Sequence, residues 1–145
     1  MTEVAFHFNV PDRSAYACRL LRKAVRQGRR IVVTAPAALL GQLDRMLWSF
    51  EPTEFLPHVL LRDGETPPER QRATPVWLCE DPVASGLHDV LVNMGTEVAA
   101  PKGFESFERL IEIVSTDDAD RDAARERWKH YASRGYPIVR LEVAA

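Results

Sequence analysis

From Val4 to Val10 the chain alternates apolar and polar positions, the period of a half-buried strand, and the run stops at Pro11-Asp12. The next segment changes period. Tyr16, Leu20, Leu21 and Val25 recur at helical spacing while Arg19, Arg22, Lys23 and Arg26 fill the opposite side; Asp12 or Ser14 can cap the start and Gly28 the end. Arg30-Ile31-Val32-Val33-Thr34-Ala35 is continuous and β-branched, as in a central strand covered on both faces. Pro36 suits a first helical position, and Leu39, Leu40, Leu43, Met46, Leu47 and Phe50 form a second helical stripe. From Glu51 to Pro75 prolines and Asp63-Gly64 break every period, so this stretch is expected to be irregular, with 62–75 a mobile loop. Val76–Cys79, Asp89–Asn93 and Arg109–Val114 read as further strands, with a helical turn near Phe104 to Phe107 before the last. Ser115 to Asp118 supply caps and negative charge for a final helix to about Arg134, closed by Gly135. Tyr136 to Val143 reads as a last strand, placed at an edge by Pro137. Strands alternating with helices predict an α/β layer fold with a mainly parallel sheet and right-handed crossovers.

Length and composition narrow this to one unit. A chain of 145 residues suits a single domain over 1–145, and 46% hydrophobic with 28% charged residues excludes global disorder. Lys and Arg total 19 against 21 Asp and Glu, so at net charge −2 the molecule carries no overall field for DNA or an acidic membrane. Apolar runs fall short of the ~20 residues of a membrane helix. Cys18 and Cys79 lack CxxC spacing and follow no signal peptide, which predicts a soluble, reduced, cytoplasmic protein.

Candidate chemistry is sparse. The strand-to-helix turns Asn9-Val10-Pro11-Asp12 and Thr34-Ala35-Pro36-Ala37 hold no glycine loop, and their prolines remove amides a phosphate would need. His7, His58, His88 and His130 lack metal-ligand spacing, so neither metal nor cofactor is expected. No nucleophile elbow is present, Cys79 lies in an apolar strand, and Asn9, Ser14, Thr34 and Asn93 offer no nucleophile-and-base pair; the chain is read as non-catalytic. The acids Asp117, Asp118 and Asp120 are accounted for by helix capping.

The final helix is the exception. Arg121, Arg125, Trp128, Lys129 and Ala132 share one face by i, i+3, i+4 spacing, pairing cations with an indole. Such a face suits an acidic ligand with an aromatic anchor, or a nucleic-acid strand. It is also compatible with Trp128 and Tyr131 as core anchors beneath a solvated charged surface.

Leu43-Asp44-Arg45-Met46-Leu47-Trp48 followed by Phe55-Leu56-Pro57-His58, and Ala124-Arg125-Glu126-Arg127-Trp128-Lys129-His130-Tyr131 followed by Gly135-Tyr136, resemble the chi-subunit family of bacterial DNA polymerase III. The strand opening with Phe6 and the Gly28-Arg29-Arg30-Ile31 entry extend the likeness along nearly the whole chain. The resemblance implies a Rossmann-like three-layer α/β domain without a nucleotide-binding glycine loop. It implies a non-catalytic adaptor in the clamp-loader part of the replicase, which tethers single-stranded DNA-binding protein through its acidic C-terminal tail. It places such a protein with the nucleoid through the replisome, and touching DNA only indirectly. Carried over by position, the tail-binding residues are Val114, Arg121, Arg125, Trp128 and Lys129, with Arg125 on the terminal carboxylate. The family commonly has Lys where Arg121 stands and Tyr where Trp128 stands; both changes keep charge and ring. By the same resemblance a separate surface at Trp48, Phe55, Leu56 and Pro57 corresponds to the psi-subunit contact, although Trp48 and Phe55 could equally pack the loop onto the body. A repair helicase is a further partner of the family. The competing reading is a module that binds single-stranded nucleic acid directly.

Overall fold

The computed structural model describes residues 1–49, 55–62, 65 and 69–143. Among these residues seven strands form one sheet: β1 (Glu3–Val10), β2 (Ile31–Thr34), β3 (His58–Leu61), β4 (Val76–Cys79), β5 (Val90–Asn93), β6 (Arg109–Ser115) and β7 (Ile138–Glu142), in the order β3-β4-β2-β5-β6-β1-β7. All six pairings are parallel. Among the described residues three α-helices complete the layers: α1 (Arg13–Arg26), α2 (Ala37–Ser49) and α3 (Asp118–Ser133). The result is the three-layer, Rossmann-like α/β arrangement expected from the alternation of periods.

The central strands β2, β4 and β5 are buried at every position, as their mostly apolar sequences require, with Thr34 and Asn93 as the polar residues among them. One face packs against α1 and α2 through Val33, Leu78, Val92, Leu21, Leu40 and Leu43. The other packs against α3 and a 3₁₀ turn at Phe104–Ser106, through Phe6, Trp77, Leu91, Phe104 and Tyr131. Asp12 caps α1 by accepting from the Ala15 amide. The fully buried positions of α1 are small or medium, Ser14, Ala17, Cys18, Leu21 and Ala24, whereas Tyr16, Leu20 and Val25 lie half-buried at its margin. Small side chains let the helix axis approach the sheet closely. Pro36 lies just before α2, its carbonyl accepting from Leu39 and Leu40; Phe50 is outside the described residues.

One expectation is corrected. His58–Leu61, within the stretch read as irregular, is the edge strand β3 and pairs with β4 in parallel register. Pro57 immediately precedes it, where a missing amide breaks no ladder bond, and the surrounding prolines hide a four-residue strand from pattern reading. Of the segment 62–75 expected to be mobile, 63–64 and 66–68 lie outside the described residues; Glu69–Gln71 forms a 3₁₀ turn.

His7, on β1, faces α1 with its Nδ1 2.6 Å from the Tyr16 hydroxyl. Burial, aided by Arg109 and Lys23, pushes its imidazole below the ordinary 6.5. The unfolded chain therefore binds this proton more tightly, so the contribution of His7 to stability is full above 6.5 and is lost as pH falls below it. Thermal unfolding compared at mildly alkaline and mildly acidic pH is expected to show this loss in the native chain and a smaller one in His7→Gln.

Candidate functional site

The helix α3 begins with Asp117 as its cap, accepting from the Asp120 amide at 3.3 Å, and Asp120 reaches back to accept from the Ser115 amide at 2.8 Å. Both acids thus organise the helix start, as their position in the first turn predicts. At the other end Gly135 adopts φ +77°, the Gly135 amide bonds Ala132 and the Tyr136 amide bonds Tyr131. This left-handed closure, with the Tyr136 ring 6.5 Å from that of Tyr131, turns the chain directly into β7.

A carboxylate buried under the helix locks it to the sheet. Glu112 of β6 is inaccessible to solvent and accepts from Arg127 Nε at 3.1 Å, the Tyr131 hydroxyl at 2.6 Å and Asn93 Nδ2 at 3.0 Å. Arg127, also buried, spends a further donor on the Glu97 carbonyl. Burial pushes the Glu112 carboxyl up while the Arg127 guanidinium pulls it back, and burial beside that carboxylate raises the Tyr131 hydroxyl. Sequence reading missed this network, since Arg127 belongs to a motif that reads as a charged surface.

Locking α3 in this rotation presents its flank to the end of β1. A groove of about 390 Å³ opens there, lined by Val114, Arg121, Arg125 and Trp128 together with Phe6, Phe8, Asn9, Ala124 and Arg140. Four of the five positions expected from the sequence therefore converge. The fifth, Lys129, lies outside the lining, exposed and 3.3 Å from Glu126. Trp128 is half-buried against Phe6, with ring centroids 4.9 Å apart, so it is both a core contact and a groove wall. Arg125 makes an exposed pair with Asp122 at 3.2 Å, the kind of contact a ligand carboxylate readily replaces.

Phe8, Asn9 and Arg140 carried no sequence signal for this site. Alternation along β1 would aim Asn9 at the opposite face, but the pairing of β1 with β6 shifts register between His7 and Val10, and Asn9 takes φ +60°. The bulge re-aims the side chain into the groove, in the left-handed conformation asparagine tolerates best among non-glycine residues.

At the opposite sheet edge Trp48 and Phe55 are 64% and 56% exposed, with ring centroids 5.1 Å apart. Beneath them His58 lies 5.1 Å from the Trp48 ring, its Nε2 3.1 Å from Asp44 and its Nδ1 2.8 Å from the Leu56 carbonyl. Leu56 packs onto the core and Pro57 is exposed. The Trp48 and Phe55 rings are both open to solvent.

The family model described as DNA polymerase III chi subunit, HolC, matches residues 1–139. The chain belongs to the DNA polymerase III chi subunit family. Among its relatives, the DNA polymerase III subunit chi of Pseudomonas aeruginosa is 36% identical, with 95% of this chain and 94% of that protein aligned. The corresponding subunit of Haemophilus influenzae is 32% identical over 84% of this chain and 81% of its own length. In fold, this chi-family chain is similar to the second domain of Mss116p, a DEAD-box helicase, solved bound to an RNA duplex: TM-score 0.64 at 11% identity. The chain is covered completely and spans 65% of the helicase chain, a likeness of fold alone.

The chi-family chain keeps a cleft of about 670 Å³ beyond β2, β4 and β5, where related folds bind nucleotides, but its lining opposes a phosphate. Glu80, Asp81 and Glu97 are acidic and Pro36 removes an amide, against a single Lys102. Thr34 donates to the Glu80 carbonyl at 2.9 Å, and the buried Cys79 thiol is pushed up to about 12 by burial. Neither is poised as a nucleophile. Among the described residues no group of His, Cys, Asp and Glu could hold a metal, and no helix is long and apolar enough to cross a membrane.

Proposed function

We propose that this chi-family chain is a non-catalytic, cytoplasmic adaptor whose α3 groove takes the acidic C-terminal tail of single-stranded DNA-binding protein and tethers it to the clamp-loader part of DNA polymerase III. The observation that carries the reading is the convergence of Arg121, Arg125, Trp128 and Val114 on one groove. A tail ending in an aromatic residue brings a ring for the apolar wall of Trp128, Val114 and Phe6. It also brings a terminal carboxylate for the Arg125 fork, with Arg121 beside it for a second acid. The interface is small and its cations are exposed, so affinity is about micromolar and falls with salt.

Titration of the protein with a labelled Asp-rich peptide ending in Phe tests this, alongside labelled single-stranded DNA. Saturable binding that weakens with salt, fails when the final Phe is removed and is unmatched by DNA supports the adaptor. Binding of DNA without peptide overturns it and makes the groove a nucleic-acid surface, from which the chain would contact single strands directly.

The exposed Trp48–Phe55 pair is the second surface, read as the contact for the psi subunit, or for a repair helicase in its place. Because Phe55 is open to solvent, Phe55→Ala is expected to change folding stability by less than about 0.5 kcal/mol. Co-purification with psi is expected to fall in the same variant. A lowered unfolding temperature with unchanged association would return the ring to a packing role.

A further inference from the structure

The Arg140 guanidinium carbon lies 5.4 Å from the Phe8 ring centroid and 5.6 Å from that of Trp128. Two ring faces hold it at the rim of the groove, and among the described residues no protein carboxylate or carbonyl accepts from it. The obvious internal partner is Glu142, two residues along β7 and therefore on the same face of the sheet. Glu142 is instead held by Asn9, whose Nδ2 donates to Oε1 at 2.9 Å from the bulged, left-handed position in β1. The bulge thus ties down the acid that would neutralise Arg140, and the planar fork is left positioned with its donors open.

We infer that Arg140 is a specificity-determining residue of the groove, reading a side-chain carboxylate upstream of the ligand's aromatic C-terminus, and that the Asn9–Glu142 bond keeps it available. The inference rests on the proposed peptide reading of this groove. It adds an orientation: with Arg125 on the terminal carboxylate, the acidic stretch runs toward β7, and Glu142 beyond Arg140 limits how far acids are accepted. A ligand with the same final ring but neutral upstream residues loses the Arg140 contact and keeps the others.

The test is a double-mutant cycle with two labelled peptides that share a C-terminal Phe, one with upstream Asp and one with Asn in their place. The native protein is expected to prefer the Asp peptide, and Arg140→Gln to lose about fivefold of that preference, the scale of an exposed but preorganised charge pair. Arg140→Gln is expected to bind the Asn peptide as the native chain does. Asn9→Gly keeps the backbone conformation but frees Glu142 to reach Arg140, so it is expected to weaken the Asp peptide; Asn9→Gly with Glu142→Gln is expected to restore it. Equal effects of Arg140→Gln on both peptides, or no effect on either, overturn the role of Arg140. If the native chain binds neither peptide, the peptide reading of the groove itself fails.

Discussion

Arg127→Met is expected to lower folding stability by about 3–5 kcal/mol, the usual consequence of removing one member of a buried ion pair. The reason lies in what remains: Glu112, with no solvent access, keeps only the Tyr131 and Asn93 donors. Thermal unfolding reads this as a drop of roughly 10 °C for a domain of this size. Pairing the change with Glu112→Gln is expected to recover much of the loss, because the uncompensated charge is gone. If single and double variants are equally destabilised, packing of the Arg127 side chain outweighs the charge pair.

Trp128→Ala is expected to weaken the Asp-rich peptide by roughly thirtyfold, about 2 kcal/mol, the scale of an aromatic anchor at the centre of an interface. The indole supplies a groove wall, contacts Phe6 and supports the Arg140 guanidinium, so its loss removes the ring contact and loosens a cation together. Trp128→Tyr is expected to retain most affinity, since a phenol ring preserves the face. Arg125→Ala is expected to reduce both affinity and its dependence on salt. Calorimetric titration at two ionic strengths measures both, and unchanged affinity in Trp128→Ala would remove the anchor from the proposed site.

The sequence carried the elements whose pattern is local. Ile31-Val32-Val33-Thr34 announces a strand covered on both faces by its unbroken β-branched run, and Asp117 and Gly135 mark the ends of α3 by their capping chemistry. Arg121, Arg125 and Trp128 were legible as one face because helical spacing is short-range. That the same spacing included Lys129 shows its limit: neighbours on a helix are known from sequence, but which flank meets the sheet is not. Rotation of α3 is set by Glu112, on the strand β6 that directly precedes the helix, gripping Arg127 and Tyr131, a contact that helical spacing does not reveal. The strand His58–Leu61 was illegible because four residues among prolines gain their identity from pairing with β4.

What the sequence determined by itself was the α/β layering, the missing phosphate loop, the chi-family motifs and the cation-plus-indole face of the last helix. Only the tertiary structure decided that Phe8, Asn9 and Arg140 complete that face, that Lys129 stands outside it, and that Trp48 and Phe55 are exposed. The physical reason is distance along the chain. A groove bounded by β1 at one end of the sequence and β7 at the other exists only once parallel pairing with β1 has set β7 beside it, and a one-residue bulge then decides which side chains enter.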